Sequence, residues 1–415
     1  MQVYRVGGAV RDRLLSYPSQ ENDWVVVGSC PEEMLDLGYR PVGQDFPVFI
    51  HPKTGEEYAL ARTERKSGRG YKGFTFHTDP SISLEEDLVR RDLTINAMAE
   101  DSEGQVIDPY GGKADLQRKV LRHVSPAFEE DPLRVLRVAR FAARYAHLGF
   151  TIAAETLTLM RNIAQRGELS ELVPERLWRE IERALCERSP DVFITVLRDC
   201  GALREILPEV DALFGVEQRA DFHPEIDTGI HTLMALQQAA KLSNDPSIRF
   251  SVLVHDLGKA VTPKEILPRH TGHEAAGLPL VAQLCNRLKV PNQHRQLALL
   301  VTEYHLICHK SLNLCATNLF KLLSKLGAFK AQNKLDHFLL CCMADAKGRK
   351  GLEDRNYPPL AYLRAAQTAA TNVDIEQILQ SGIEGAQIGA ALTEKRIDAL
   401  ETFKRNYLNK EASDG

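Results

Sequence analysis

From residue 1 to about residue 110, apolar residues fall in short β-rich runs: Val3 to Val6, Trp24 to Val27, Phe46 to His51 and Glu57 to Ala61. Turn signals such as Pro52-Lys53-Thr54-Gly55 separate them, with helix-compatible stretches between. This alternation predicts an α/β or α+β unit. Leu84 to Met98 opens with Glu85-Glu86-Asp87, and acidic residues there favour a helix N-terminus. Val106 to Gly112 closes the unit with a strand and a turn. From about residue 113 the period changes, and nearly everything downstream reads as helix, broken by short segments such as those at Pro208 and Pro224.

Polar features of the first unit suggest chemistry. Gly7-Gly8 precede a helix-compatible segment, where absent side chains let backbone N–H groups approach a phosphate. Glu21 and Asp23 flank Asn22 in an extended segment, so both carboxylates point to one side and can face one hard cation. A phosphate-binding turn beside two carboxylates predicts magnesium-assisted phosphoryl transfer. Arg62 to Gly73 is basic, glycine-rich and without an apolar stripe, and is expected to form a mobile loop near an anion. Arg91 is placed to hold a triphosphate, with Asp92 and Asn96 available to order the turn around it.

Glu129-Glu130-Asp131-Pro132 opens one helix with an acidic cap and a proline just inside. Arg134, Arg137, Arg140 and Arg144 follow at steps of three or four and share one face, which Phe141 interrupts. With no acid between them, four arginines are expected to repel one another unless an anion or nucleic acid lies there. A carboxylate accepts from the exocyclic amine of cytosine or adenine while a guanidinium donates to the adjacent ring acceptor, so Asp131 and Arg134 suit those two bases. In the helical region, His255-Asp256-Leu257-Gly258-Lys259 follows the apolar Val252-Leu253-Val254. Together with His231, His273, His305 and Asp345 it resembles the metal set of an HD-type phosphohydrolase, in which imidazole and carboxylate suit a metal that activates water. His270 and His309 are expected to be bystanders.

Composition sharpens this picture in a few respects. A chain of 415 residues exceeds a typical single core, and 44% hydrophobic with 26% charged residues is the balance of a soluble globular protein. No apolar run approaches bilayer length and the chain starts on a strand-like segment, which predicts a cytoplasmic location. A net charge of −4 argues against non-specific coating of nucleic acid but allows a local basic surface. The eight cysteines have no zinc-type spacing and are expected to be buried thiols in a reducing compartment.

The chain resembles a bacterial class II tRNA nucleotidyltransferase, the CCA-adding enzyme, in its multifunctional form with an HD domain. The likeness rests on Val6-Gly7-Gly8-Ala9-Val10-Arg11-Asp12, Arg90-Arg91-Asp92-Leu93-Thr94-Ile95-Asn96-Ala97, Glu130-Asp131-Pro132-Leu133-Arg134 and His255-Asp256, and covers nearly the whole chain. It implies a multidomain α/β head plus all-α fold: a polymerase-β-like head over 1–112, a helical neck for nucleotide selection and RNA binding over 113–222, an HD phosphohydrolase domain over 223–346, and a helical tail over 347–415. It further implies that Gly8 and Arg11 contact the phosphates of CTP or ATP, that Glu21 and Asp23 are the catalytic ligands of Mg2+, and that Arg91, Asp131, Arg134, Arg137 and Arg140 bind nucleotide. His231, His255, Asp256 and Asp345, with His273 and His305 as further candidates, would hold a divalent transition metal such as Ni2+ for 2′,3′-cyclic phosphodiesterase, 2′-nucleotidase and phosphatase activity. The implied partner is the acceptor end of tRNA, with no membrane and a monomer or homodimer.

The family's metal motif is Asp-x-Asp where this chain has Glu21-Asn22-Asp23, so the charge is kept on a side chain one methylene longer, and activity is expected to be retained with room for some weakening. One alternative is a poly(A) polymerase, expected to carry a basic C-terminal extension where this chain ends Lys410-Glu411-Ala412-Ser413-Asp414-Gly415. The other is an HD phosphohydrolase with a non-catalytic RNA-binding head, favoured only by Glu21.

Overall fold

The β-rich runs of the N-terminal region become nine strands in the computed structural model, which describes every residue except 19–21, 43–47, 67–73, 331, 381–383 and 415. They are β1 (Gln2–Val6), β2 (Asp23–Val27), β3 (Arg40–Val42), β4 (Val48–Ile50), β5 (Glu57–Leu60), β6 (Arg62–Lys66), β7 (Phe74–Thr78), β8 (Ala99–Glu100) and β9 (Val106–Ile107). Seven form one mixed sheet in the order β3-β4-β5-β2-β1-β8-β9. In it β2 pairs antiparallel with β1 and parallel with β5, and Asp23 stands opposite both Val6 and Glu57. Successive strand residues point to opposite faces. Accordingly Val25 packs with Val6, Leu88 and Ala99 on one side, while Val26 packs with Met34, Phe49 and Leu60 on the other.

One expectation changes here. Arg62 to Lys66 is a strand, paired with Phe74–Thr78 in a two-stranded ribbon, and residues 67–73 lie outside the described residues. A ribbon outside the main sheet needs no apolar stripe, which is why its sequence reads as loop. The helix whose N-terminus the acidic run favours is short. After α1 (Gly8–Leu14) and α2 (Pro31–Asp36), α3 spans only Leu84–Val89, opened by a Ser83–Glu86 capping box. A 3-10 turn follows at Thr94–Asn96. The Asp92 carboxylate accepts from the Leu93 amide at 2.8 Å, a local bond that competes with helix continuation.

The first unit, Met1–Ile206, is completed by α4 (Gly112–Arg118), α5 (Leu133–Tyr145), α6 (Ala154–Gln165), α7 (Pro174–Cys186), α8 (Pro190–Asp199) and α9 (Leu203–Ile206). Helix α5 buries Val135, Leu136, Val138 and Ala139 and packs on α7 and α8. Val120–Leu121 and Thr151–Ile152 add a small parallel pair to a region expected to be nearly all helical.

The second unit, Leu207–Gly415, is helical: α10 (Pro208–Asp211), α11 (Thr228–Leu242), α12 (Pro246–Val254), α13 (His273–Arg287), α14 (Asn292–His309), α15 (Ala316–Lys325), α16 (Gln332–Lys347), α17 (Pro358–Thr371), α18 (Ile375–Gln380) and α19 (Ala386–Asp414). Its core runs through Ala235, Val252, Val301, Leu339 and Cys342, where α11, α12, α14 and α16 meet. Among the described residues no helix is long and apolar enough to cross a membrane. Five of the eight cysteines are buried, whereas Cys186 and Cys315 are exposed and Cys30 is intermediate, which corrects the expectation that all are interior.

Candidate functional site

In the first unit the turn between β1 and α1 sets the geometry. Gly7 adopts φ +67°, a conformation that favours glycine, and a Cβ there would stand 2.9 Å from Arg91 Nη1 and 3.9 Å from Asp23 Oδ2. The absent side chain therefore leaves room for a cation and a carboxylate to stand beside the turn that Gly8 continues. Arg91 Nη2 donates to Asp87 Oδ2 at 3.1 Å, which fixes its direction. Arg11 is buried: Nε and Nη2 donate to the two oxygens of Asp12 at 2.8 and 3.0 Å, and Nη1 donates to Asn96 Oδ1. Its guanidinium lies 5.0 Å from the Phe141 ring centroid and 5.3 Å from that of Tyr145, so Arg11 ties α1 to α5. Glu21 lies outside the described residues.

Helix α5 presents its arginines differently from the sequence expectation. Arg137 donates to Asp92 Oδ2 at 2.8 Å. Burial alone would raise the Asp92 carboxyl, but the Arg137 charge, hydrogen bonds from Asn96 and Arg137, and nearby Arg134 hold it well below the usual carboxylate range. Arg140 donates to Glu180 Oε2 at 2.7 Å, and Arg144 reaches both oxygens of Glu187 at 3.0 Å. The expected mutual repulsion is thus relieved by carboxylates from Asp92 and α7 and the residue after it. Spacing along one helix carries no trace of partners that arrive from another element.

Asp131 and Arg134 are both held in place. The Asp131 carboxylate accepts from the Leu133 amide at 3.1 Å and from Arg176 Nη2 at 3.0 Å. Arg134 donates to the carbonyls of Ala127 and Arg90 at 2.7 and 2.6 Å. Sequence reasoning missed Arg176, which lies on α7 and bears no motif.

In the second unit the predicted metal residues converge. His231 on α11, His255 and Asp256 after α12, His273 opening α13, His305 on α14 and Asp345 on α16 are all buried. Their ligand atoms form three groups, His231–His255–Asp256, His255–His305–Asp345 and Asp256–His273–His305, each spanning no more than 4.8 Å. Asp256 joins them: Oδ2 lies 3.2 Å from His255 Nε2, and Oδ1 lies 3.2 Å from His273 Nε2.

Backbone carbonyls orient the rings. His255 Nδ1 lies 2.7 Å from the Val252 carbonyl, His273 Nδ1 2.7 Å from that of His270, and His305 Nδ1 3.0 Å from that of Val301. A carbonyl only accepts, so these rings carry hydrogen on Nδ1 and turn Nε2 into the cluster. His255 Nε2 and Asp256 Oδ1 are buried without a hydrogen bond, as suits atoms meant for a cation. Burial opposes charge on His255, yet Asp256 and Asp345 raise its pKa to about 10; His305 is pushed down to about 3 by burial first. The donor set of imidazoles and carboxylates fits a transition metal.

Three surrounding residues have roles that the sequence did not disclose. Glu225 Oε1 lies 3.0 Å from His231 Nδ1, leaving His231 Nε2 to face Asp345 at 3.1 Å. Lys259 Nζ sits 2.7 Å from Asp256 Oδ2. His309, expected as a bystander, places Nε2 2.6 Å from Asp345 Oδ2 and Nδ1 2.9 Å from the Tyr357 hydroxyl. His270 is a neighbour as expected, its nitrogens engaged by Thr262 and the Glu217 carbonyl.

A Cβ at Gly258 would fall 1.9 Å from the His273 carbonyl oxygen. Gly258→Ala must therefore displace the start of α13, and we expect a loss of about 3 kcal/mol in stability and a drop of roughly tenfold or more in metal affinity. Thermal melting and metal titration of the full chain check this; unchanged values would show that α13 yields freely.

Known proteins share this plan. The family described as "Poly A polymerase head domain" matches residues 3–122, "Probable RNA and SrmB- binding site of polymerase A" matches 149–214, and "HD domain" matches 228–321. The chain is 58% identical over 404 residues to a multifunctional CCA protein of Pseudomonas aeruginosa, covering 97% of this chain and 98% of that one. It is 58% identical over 407 residues to one of Acinetobacter baumannii, covering 98% of each. Among solved structures, the fold resembles a Bacillus stearothermophilus CCA-adding enzyme in complex with CTP, with a TM-score of 0.65 at 21% identity, covering 100% of this chain and 95% of that one. It also resembles a Thermotoga maritima CCA-adding enzyme complexed with tRNA, with a TM-score of 0.62 at 21% identity, covering 97% and 87%.

Proposed function

We propose, from the premise that the chain belongs to the multifunctional CCA protein family and is a nucleotidyltransferase, that it builds and repairs the 3′-terminal CCA of tRNA from CTP and ATP. The observation that carries this reading is that Arg91 and Asp23 both stand beside the Gly7 turn. In the reaction the tRNA 3′-hydroxyl oxygen forms a new bond to the α-phosphorus, the bond from that phosphorus to the β-phosphate bridge breaks, and pyrophosphate leaves with the hydroxyl proton passing to solvent. Arg91 supplies positive charge beside the turn, and Gly8 keeps its backbone open to the phosphates. Asp23, with Glu21, would hold Mg2+, which supplies charge neutralisation on the phosphoryl oxygens and a lower pKa for the attacking hydroxyl. Most of the catalysis is then positioning and electrostatics.

Asp131 and Arg134 would read the base. A carboxylate has about four acceptor sites, so the bonds from Leu133 and Arg176 leave Asp131 able to accept from an exocyclic amine. Asp131→Ala should still bind triphosphate but lose selectivity for CTP and ATP over GTP and UTP by roughly tenfold or more, the worth of a paired base contact. Competition kinetics checks this; retained selectivity would remove Asp131 from that role. Incubating the protein with labelled CTP, ATP and tRNA lacking its 3′ end tests the whole reading: CCA supports it, a long A tail identifies a poly(A) polymerase, and no extension leaves a non-catalytic head.

The second unit would hydrolyse phosphate esters, including 2′,3′-cyclic phosphates. Water forms the new P–O bond, one ring P–O bond breaks, and the released ribose oxygen takes a proton. His231, His255, Asp256, Asp345, His273 and His305 would hold a divalent transition metal such as Ni2+, which supplies an activated water. The four parts 1–112, 113–222, 223–346 and 347–415 are our proposed division of labour, with a soluble cytoplasmic setting and a monomer or homodimer.

A further inference from the structure

The second unit contains a cavity of about 690 Å³ whose lining includes His273 and His309 beside the cluster and Phe222, which is 54% exposed, toward solvent. Seven of its lining residues are lysine or arginine and none is acidic. Composition does not account for this, because acidic residues outnumber basic ones in the chain, 56 to 52. Lys259 is committed to Asp256, Arg219 to Asp221, and Arg349 lies near Asp345. Arg269, Lys310, Lys347 and Arg355 also line the cavity and make no ion pair among the described residues. Three of the four arginines of α5 are met by a carboxylate; these four cations are not. Several like charges around one cavity, three of them exposed, favour a ligand with more than one phosphate. Phe222 adds a stacking surface, with the Arg219 guanidinium 4.8 Å from its ring centroid.

A cyclic mononucleotide brings a single negative charge and occupies only the end of such a cavity. We propose that the cavity is a track for the 3′ end of an RNA strand, with the terminal phosphate at the metal cluster, upstream phosphates along Arg269, Lys310, Lys347 and Arg355, and a base on Phe222. The inference rests on the hydrolytic reading of the cluster. The need for a ribose 2′-oxygen in the cyclic ester makes the strand RNA.

The test compares kcat/KM for a short RNA ending in a 2′,3′-cyclic phosphate with that for the corresponding cyclic mononucleotide, using the full chain supplied with Ni2+, Co2+ or Mn2+. The RNA should be preferred by roughly thirtyfold or more, and that preference should collapse between about 50 and about 200 mM salt. Arg269→Ala combined with Arg355→Ala should lower the preference about tenfold. A second readout needs no turnover: in metal-free protein, a short RNA with a photoreactive 3′-terminal base should crosslink to the peptide bearing Phe222. Equal kcat/KM on the two substrates, or crosslinks confined to the first unit, would overturn the proposal. If neither substrate is hydrolysed with any of the three metals, the hydrolytic reading fails and this inference falls with it.

Discussion

Asp23→Asn should reduce incorporation of CMP and AMP into tRNA by roughly a thousandfold, about 4 kcal/mol of barrier. The substitution keeps the shape of the side chain and removes only its charge. Asp23 begins β2, and its register is fixed on both sides, by Val6 of β1 and by Glu57 of β5. The asparagine variant should therefore fold as the parent does, so that the loss reads chemistry and not structure. Single-turnover addition at saturating CTP, with the circular dichroism melt as a control, is the measurement. A loss below about tenfold would mean that Asp23 does not act on the phosphoryl group.

Asp256→Asn should abolish tight metal binding in the second unit and lower hydrolysis of 2′,3′-cyclic nucleotides by roughly a hundredfold or more. Its two oxygens face different histidines, His255 on one side and His273 on the other, so the carboxylate joins the two parts of the cluster. In the metal-free protein Asp256 is buried, which disfavours its charge, yet His255 and Lys259 hold it well below the usual carboxylate range. Losing that charge leaves Lys259 without its closest partner and the cluster with fewer anionic donors. Metal content after dialysis and initial hydrolysis rates report both effects, and CCA addition by the same preparation serves as the folding control. Metal retained at the parental level would place the ligands elsewhere.

Much of both sites was legible because the chemistry is local in sequence. Gly7-Gly8 must lie at a turn, and His255-Asp256 follows an apolar helix that buries them together. What escaped the sequence is whatever depends on a partner from another element. The stripe Arg134, Arg137, Arg140 and Arg144 looked like an anion-binding face, but Asp92, Glu180 and Glu187 reach three of these guanidinium groups and backbone carbonyls take the fourth. Arg176, Glu225 and His309 stand in no motif, and only tertiary packing brings them to Asp131, His231 and Asp345. The segment of β6 was read as loop because strand periodicity is visible only where one face is buried.

The sheet order has a further meaning for Asp23. With three strands on either side, β2 is the middle of seven. Fraying of a sheet begins at its rims, so the middle strand exchanges its amide hydrogens only when the surrounding ladder opens. Many active-site groups ride on loops that loosen well before the protein melts. This carboxylate is carried by the segment expected to loosen last, so warming should leave its placement intact up to the point at which the sheet itself gives way.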